Sequence, residues 1–123
     1  MTVKKILIVD DSLSLRLVVK MTLEGAGHTV LQAADSKQAL DMLDGRQIDL
    51  VLSDLNMPVL DGLGLLEHIR QHPQYAATPV IMLTTQDAGH LQLRGQQQGI
   101  SAWIIKPFEP PYLLAAIAQL TTR

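Results

Sequence analysis

Apolar residues fall in short blocks along the chain, and stretches of helical periodicity separate the blocks. Segments 5–9, 49–53, 80–83 and 103–105 are almost continuously apolar, as strands covered on both faces should be. Segment 29–33 has the same length but is more polar, which suits the edge of a sheet. Helical patterns fill the gaps at 14–24, 36–43, 63–71, 88–98 and 111–120. The boundary residues agree. Gly25 is placed to end the first helix as its C′ glycine. Ser36 is placed as the N-cap of the second and Asp87 as that of the fourth. Pro111 stands in the first turn of the fifth, where its missing N–H costs nothing. Leu113, Ile117 and Leu120 mark one apolar stripe there.

Alternation of strand and helix with short links predicts a parallel sheet with helices on both faces. Right-handed crossovers restrict the topology to a few doubly wound orders. The expected fold is a single three-layer α/β/α domain over residues 1–123, with a five-stranded parallel sheet. In such sheets a site lies beyond the carboxyl ends of the strands, where strand order reverses.

Those ends carry the chemistry. The first strand runs into Asp10-Asp11, the third into Asp54, the fourth into Thr84-Thr85 and the fifth into Lys106-Pro107. Alone, Asp10 or Asp11 reads as a helix cap and Asp54 as a solvated strand-end carboxylate. Brought to one edge, three carboxylates repel, and one would have to take up a proton. A divalent cation removes that conflict. Mg²⁺, an oxygen-seeking ion that keeps several waters, suits carboxylates plus a backbone carbonyl. The ammonium and the hydroxyl suit a phosphoryl group.

Composition narrows the classes. Net charge is −2 without a basic stripe, so there is no electrostatic footprint for nucleic acid. Cysteine is absent, which excludes disulfides and thiol catalysis. The amino terminus lacks the apolar core of a signal peptide, and no apolar run approaches a membrane span. The expectation is a soluble cytoplasmic protein. His28, His68, His72 and His90 show no ligand spacing.

Asp10-Asp11-Ser12, Ser53-Asp54-Leu55-Asn56-Met57-Pro58 with Asp61-Gly62, Leu83-Thr84-Thr85 and Lys106-Pro107-Phe108 together resemble the receiver domain of bacterial response regulators. The likeness covers essentially the whole chain and is greatest to single-domain chemotaxis receivers. It implies a flavodoxin-like sheet order of 2-1-3-4-5. It also implies that Asp54 is the phosphoacceptor for a histidine kinase or histidine phosphotransfer domain. By the same resemblance Asp11 and Asp54 ligate Mg²⁺, Asn56 adds its backbone carbonyl, and Asp10 acts through a metal-bound water. Lys106 pairs with Asp54 or the phosphoryl oxygens, and Thr84 hydrogen-bonds the phosphoryl group. Lys106-Pro107 is expected to be cis. Trp103 falls at the switch aromatic, coupled to Thr84, and reshapes the surface of the fourth helix, fifth strand and fifth helix. A downstream protein such as a flagellar motor switch component follows as the target. Such a protein catalyses its own phosphoryl transfer and slow self-dephosphorylation without being a conventional enzyme.

Other features modulate this picture. Thr85 stands where relatives carry a smaller residue and could narrow access. Asn56 and Gln86 flank the site in places that affect hydrolysis. Gly62 is expected to meet a backbone demand. Gly89, Gly95 and Gln96-Gln97-Gln98, ending at Gly99, make the fourth helix either merely poor or mobile. The first helix is apolar over more than one stripe, so some of Leu15, Leu17, Val18, Val19, Met21 and Leu23 must face outward with Arg16 and Lys20. They read as scattered surface hydrophobes or as a docking patch for a kinase or phosphotransfer helix bundle. Three competing functions remain: a flavin or nucleotide carrier, a phosphatase of the haloacid dehalogenase type, and a phosphorylation-independent binding module. The first lacks a phosphate-cradling loop, since paired carboxylates occupy it. The second lacks an aspartate at position 56. The third is at odds with a complete set of acidic, threonine and lysine positions. Within the receiver reading, a phosphate sink draining a shared kinase stands beside the motor effector.

Overall fold

The computed structural model describes residues 3–85 and 89–122, so Gln86 and the predicted cap Asp87 lie outside the described residues. Five strands and five helices alternate: β1 Lys5–Val9, α1 Leu13–Gly25, β2 Thr29–Ala33, α2 Ser36–Asp41, β3 Leu50–Ser53, α3 Gly62–Gln71, β4 Val80–Thr84, α4 Gly89–Gln97, β5 Ala102–Ile105 and α5 Pro110–Thr121. All pairings are parallel, in the order β2-β1-β3-β4-β5. Strand order reverses between β1 and β3, which places the switch point there.

Alternation along each strand sorts the core into two layers. Leu7, Val9, Val51 and Met82 pack with Ala39 of α2 and Leu63, Leu66 and Ile69 of α3. Ile6, Ile8, Leu50, Leu52, Ile81 and Leu83 pack with Val19 and Leu23 of α1 and Leu113 and Ile117 of α5. No helix among the described residues is long and apolar enough to cross a membrane.

Four local readings need correction. Gly25 is the last residue of α1, not its stop signal. The left-handed residue is Gly27 at φ +93. Its N–H reaches the Glu24 carbonyl at 2.9 Å, and the His28 N–H reaches the Leu23 carbonyl at 3.1 Å. That pair of bonds is a Schellman closure two residues beyond the predicted one. The cap of α2 is Asp35, whose carboxylate accepts from Gln38 N at 2.8 Å. Ser36 is instead buried in the first turn and donates its hydroxyl to the Leu60 carbonyl. The fifth strand is an edge, not a doubly covered strand. Only Ile104 is fully buried there, and Ile105 is 38% exposed. Hydrophobicity alone cannot tell an edge strand from a covered one. The fifth helix begins at Pro110, one residue early, with Glu109 at the cap position and no side-chain cap bond.

Candidate phosphoacceptor site

The ladder between β1 and β3 builds the site. Val9 pairs with Ser53, and Asp54 N donates to the Val9 carbonyl at 2.9 Å. The next residues out, Asp10 and Asp54, therefore stand side by side. Asp10 is only 4% exposed. Its Oδ1 accepts from Ser12 N at 2.8 Å and its Oδ2 from Lys106 Nζ at 3.2 Å. Asp54 Oδ1 accepts from Leu55 N at 2.8 Å and lies 3.5 Å from Lys106 Nζ. Asp11 is exposed at the rim. One carboxylate oxygen from each of Asp10, Asp11 and Asp54 falls within 4.8 Å of the others.

The electrostatics follow from that crowding. Burial pushes the Asp54 carboxyl above its usual range, the Lys106 ammonium opposes this, and the neighbouring Asp10 charge adds to it. Three carboxylates and one ammonium leave a formal −2 (−3 + 1) in one cleft. The donor set is all oxygen and its formal charge is equal and opposite to that of a divalent cation, so the residues present fit Mg²⁺. Both oxygens of Asp10 are already engaged, which suits contact through a water rather than direct ligation.

Thr84 closes β4, fully buried. It pairs with Ile105, and its carbonyl accepts from Lys106 N at 2.8 Å. The threonine and the lysine are thus tied to each other through main chain. The Lys106–Pro107 peptide is cis, as the resemblance implies. Asn56 is exposed on the loop after Asp54, and Thr85 is exposed just past Thr84. Trp103 is half-buried on the side of the sheet that carries Leu91 and Ile100.

Sequence reasoning misplaces one contributor and names another without its reason. Arg16 does not face outward. It turns back, Nη1 donating to the Asp10 carbonyl at 2.6 Å and Nε to Gln32 Oε1 at 3.4 Å. It pins the turn that presents Asp10 and Asp11. Its signal was available, since it lies one helical turn after Ser12 and so on the same face. Gly62 does meet a backbone demand, but the demand is space. A Cβ there would overlap the Asp54 carbonyl oxygen, lie 2.7 Å from Met82 Sδ and touch Leu55 Cα at 3.0 Å. The loop between Asp54 and Gly62 holds a tight turn. Leu60 N donates to the Pro58 carbonyl at 2.9 Å around Val59, an exposed residue at φ +73. A β-branched side chain is strained there.

The cavity beside the carboxylates, under Arg16 and Ser53, has a volume of about 10 Å³.

Comparison with known proteins agrees with this geometry. The sequence profile described as "Response regulator receiver domain" matches residues 6–118. A probable transcriptional regulator, ycf27, from Cyanophora paradoxa is 36% identical over 120 residues, 98% of this chain but 49% of its own length. The chain therefore spans about half of that relative. The chemotaxis protein CheY4 of Vibrio cholerae, crystallized at low pH, superposes with a TM-score of 0.91 at 38% identity, covering 97% of this chain and 99% of that one. The receiver domain of a sensor histidine kinase from Pseudomonas aeruginosa, solved with a magnesium ion coordinated in its active-site cleft, superposes with a TM-score of 0.90 at 26% identity over 99% and 100% of the two chains. Strand order, acidic cleft and profile converge, and the chain belongs to the response regulator receiver domain family.

Proposed function

We propose that this receiver is a phosphorylation-activated switch in which Asp54 takes a phosphoryl group from a phosphohistidine. The observation that carries the reading is the cluster of Asp10, Asp11 and Asp54 within 4.8 Å, faced by Lys106. An Asp54 oxygen forms the new O–P bond as the P–N bond to the donor imidazole breaks, and the bonding pair leaves with that nitrogen. In-line placement and charge neutralisation do most of the work in such transfers. Asp11, Asp54 and the Asn56 carbonyl would hold Mg²⁺, with Asp10 reaching it through water. That ion neutralises phosphoryl oxygens when bound. Lys106 offers its ammonium to the same oxygens, and the Thr84 hydroxyl offers a further hydrogen bond. The chain promotes its own phosphorylation and dephosphorylation and turns over no separate substrate.

Intact mass after incubation with acetyl phosphate tests the reading. We expect a gain of one phosphoryl group that requires both Mg²⁺ and Asp54, and none for Asp54→Asn. No gain by the folded wild type would favour a phosphorylation-independent binding module instead.

A cytoplasmic histidine kinase or phosphotransfer domain is the donor in this reading. Its docking face is the exposed apolar stripe of α1: Leu13, Leu17, Val18 and Met21, the last 73% exposed. The stripe adjoins the turn bearing Asp10 and Asp11, so a donor helix lying on it would stand beside Asp54. Leu17→Ala should slow transfer from the kinase several-fold and leave phosphorylation by acetyl phosphate untouched. Equal kinase rates would remove α1 from the docking face. Output passes through α4, β5 and α5 to a protein target. Likeness to CheY4 favours a chemotaxis role, with a flagellar motor switch component as that target.

A further inference from the structure

Helix α4 has a poor helical sequence, yet one of its ends is held by a dense set of polar contacts. It contains two glycines, and its one buried residue is Gly95. The contacts gather just past its C-terminal end. Arg70, in the last turn of α3, sends Nε and Nη2 to the Gly99 carbonyl at 3.1 and 2.8 Å. Its Nη1 reaches the Thr78 carbonyl at 2.6 Å and the Ala76 carbonyl at 3.2 Å. One turn earlier on α3, Glu67 accepts from Gln98 Nε2 at 3.2 Å. Gly99 sits at φ +88, and a Cβ there would come within 3.0 Å of Arg70 Nε, so the guanidinium lies directly on the turn. A cation placed just past the C-terminal end of a helix is favoured by the helix dipole as well as by its own bonds.

The Trp103 ring is seated beside this fixed end. A Cβ on Gly95 would lie 3.4 Å from Trp103 Cζ3 and 3.3 Å from Ile100 Cγ2, and the missing side chain is what makes room. The opposite end of α4 follows Thr84 and Thr85 in the chain. One end of the helix is therefore tied to α3, and the other follows the strand that ends at Thr84.

We propose that Arg70 is a positioning residue for the switch: it hinges the C-terminal end of α4 to α3, so that rearrangement falls on the N-terminal half of α4 and on the Trp103 ring seated against Gly95. The hinge itself stands on the contacts above. Its consequence for signalling rests on the switch proposed above.

Hydrogen exchange read by mass spectrometry, together with Trp103 emission, tests both parts in wild type, Arg70→Met and Arg70→Lys. Without ligand, Arg70→Met should raise exchange across 94–99 at least tenfold and leave β4 unchanged. Arg70→Lys, which can reach one carbonyl but cannot fork, should fall between the two. With beryllofluoride and Mg²⁺ as phosphoryl mimic, wild type should change exchange mainly at 89–94 and shift its Trp103 emission. Arg70→Met should keep its mass gain from acetyl phosphate and lose at least half of the emission response. Unchanged exchange at 94–99 in both variants would overturn the hinge, and Arg70→Lys alone suffices if Arg70→Met does not fold. A full emission response in a variant whose 94–99 segment has loosened would sink the role in the switch. A wild type that binds no mimic shows no ligand effect at all, which indicts the switch reading while the unliganded comparison still judges the hinge.

Discussion

Gly62→Ala is expected to cost the domain about 3 kcal/mol, at the upper end of what overpacking does to a tight core. The added Cβ would meet the Asp54 carbonyl oxygen and Leu55 Cα, which are main chain and cannot swing aside, and Met82 Sδ at 2.7 Å, which can. Relief must come from moving α3 off the end of β3. The main chain that carries the phosphoacceptor would move with it, so phosphoryl uptake should fall along with stability. Gly25→Ala provides the opposite case. Gly25 is helical and exposed, with nothing within 4 Å of a built Cβ. Alanine there should stabilise by roughly 0.5–1 kcal/mol through helix propensity. Urea denaturation of both variants checks the pair. A loss under 1 kcal/mol at Gly62 would mean that the loop after Asp54 yields, and a loss at Gly25 would restore it as the helix stop.

That contrast shows where the sequence was legible. The three central strands were visible because burial on both faces writes an unbroken apolar run. The site was visible because a parallel sheet brings every strand end to one edge: Asp10 and Asp54 had to be neighbours once Val9 paired with Ser53. What stayed hidden depended on which of several equivalent residues the chain uses. Gly25 and Gly27 are both plausible stops, and only the Leu23–His28 closure chooses the second. Asp35 and Ser36 are both good caps, and Ser36 is drawn inward by the Leu60 carbonyl. Arg16 was assigned to solvent by its charge, although a long side chain one turn from the acidic loop can fold back over it. Arg70 was invisible for a related reason, since its partners are carbonyls of Ala76, Thr78 and Gly99, which no side-chain pattern records.

Lys106→Met should slow phosphorylation by acetyl phosphate roughly 10²–10³-fold, the usual consequence of removing one fixed donor from developing negative charge. The same ammonium matters before any phosphoryl group arrives, because it is the cation within 4 Å of both Asp10 and Asp54. Burial and the Asp10 charge raise the folded carboxyl of Asp54 above its ordinary value of 3.8, and Lys106 restrains the rise. A carboxyl whose pKa is raised on folding binds more protons in the native state than in the unfolded chain, over the interval between its two pKa values. Stability then falls as pH climbs through that interval. At neutral pH without Mg²⁺, ionised Asp54 is therefore a cost. Asp54→Asn should be the more stable protein there and should lose its advantage as pH drops through the ordinary carboxylate range. Each 1 kcal/mol of relief moves Tm by roughly 3–6 °C for a domain of this size. Lys106→Met should deepen the wild-type penalty, and millimolar Mg²⁺ should reverse it wherever Asp54 is present. Thermal unfolding of the three proteins from pH 4 to 8, with EDTA and then with Mg²⁺, decides the matter. A wild type more stable than Asp54→Asn at neutral pH without metal would mean that Lys106 alone balances the cleft, and that charge repulsion is not what the cation relieves.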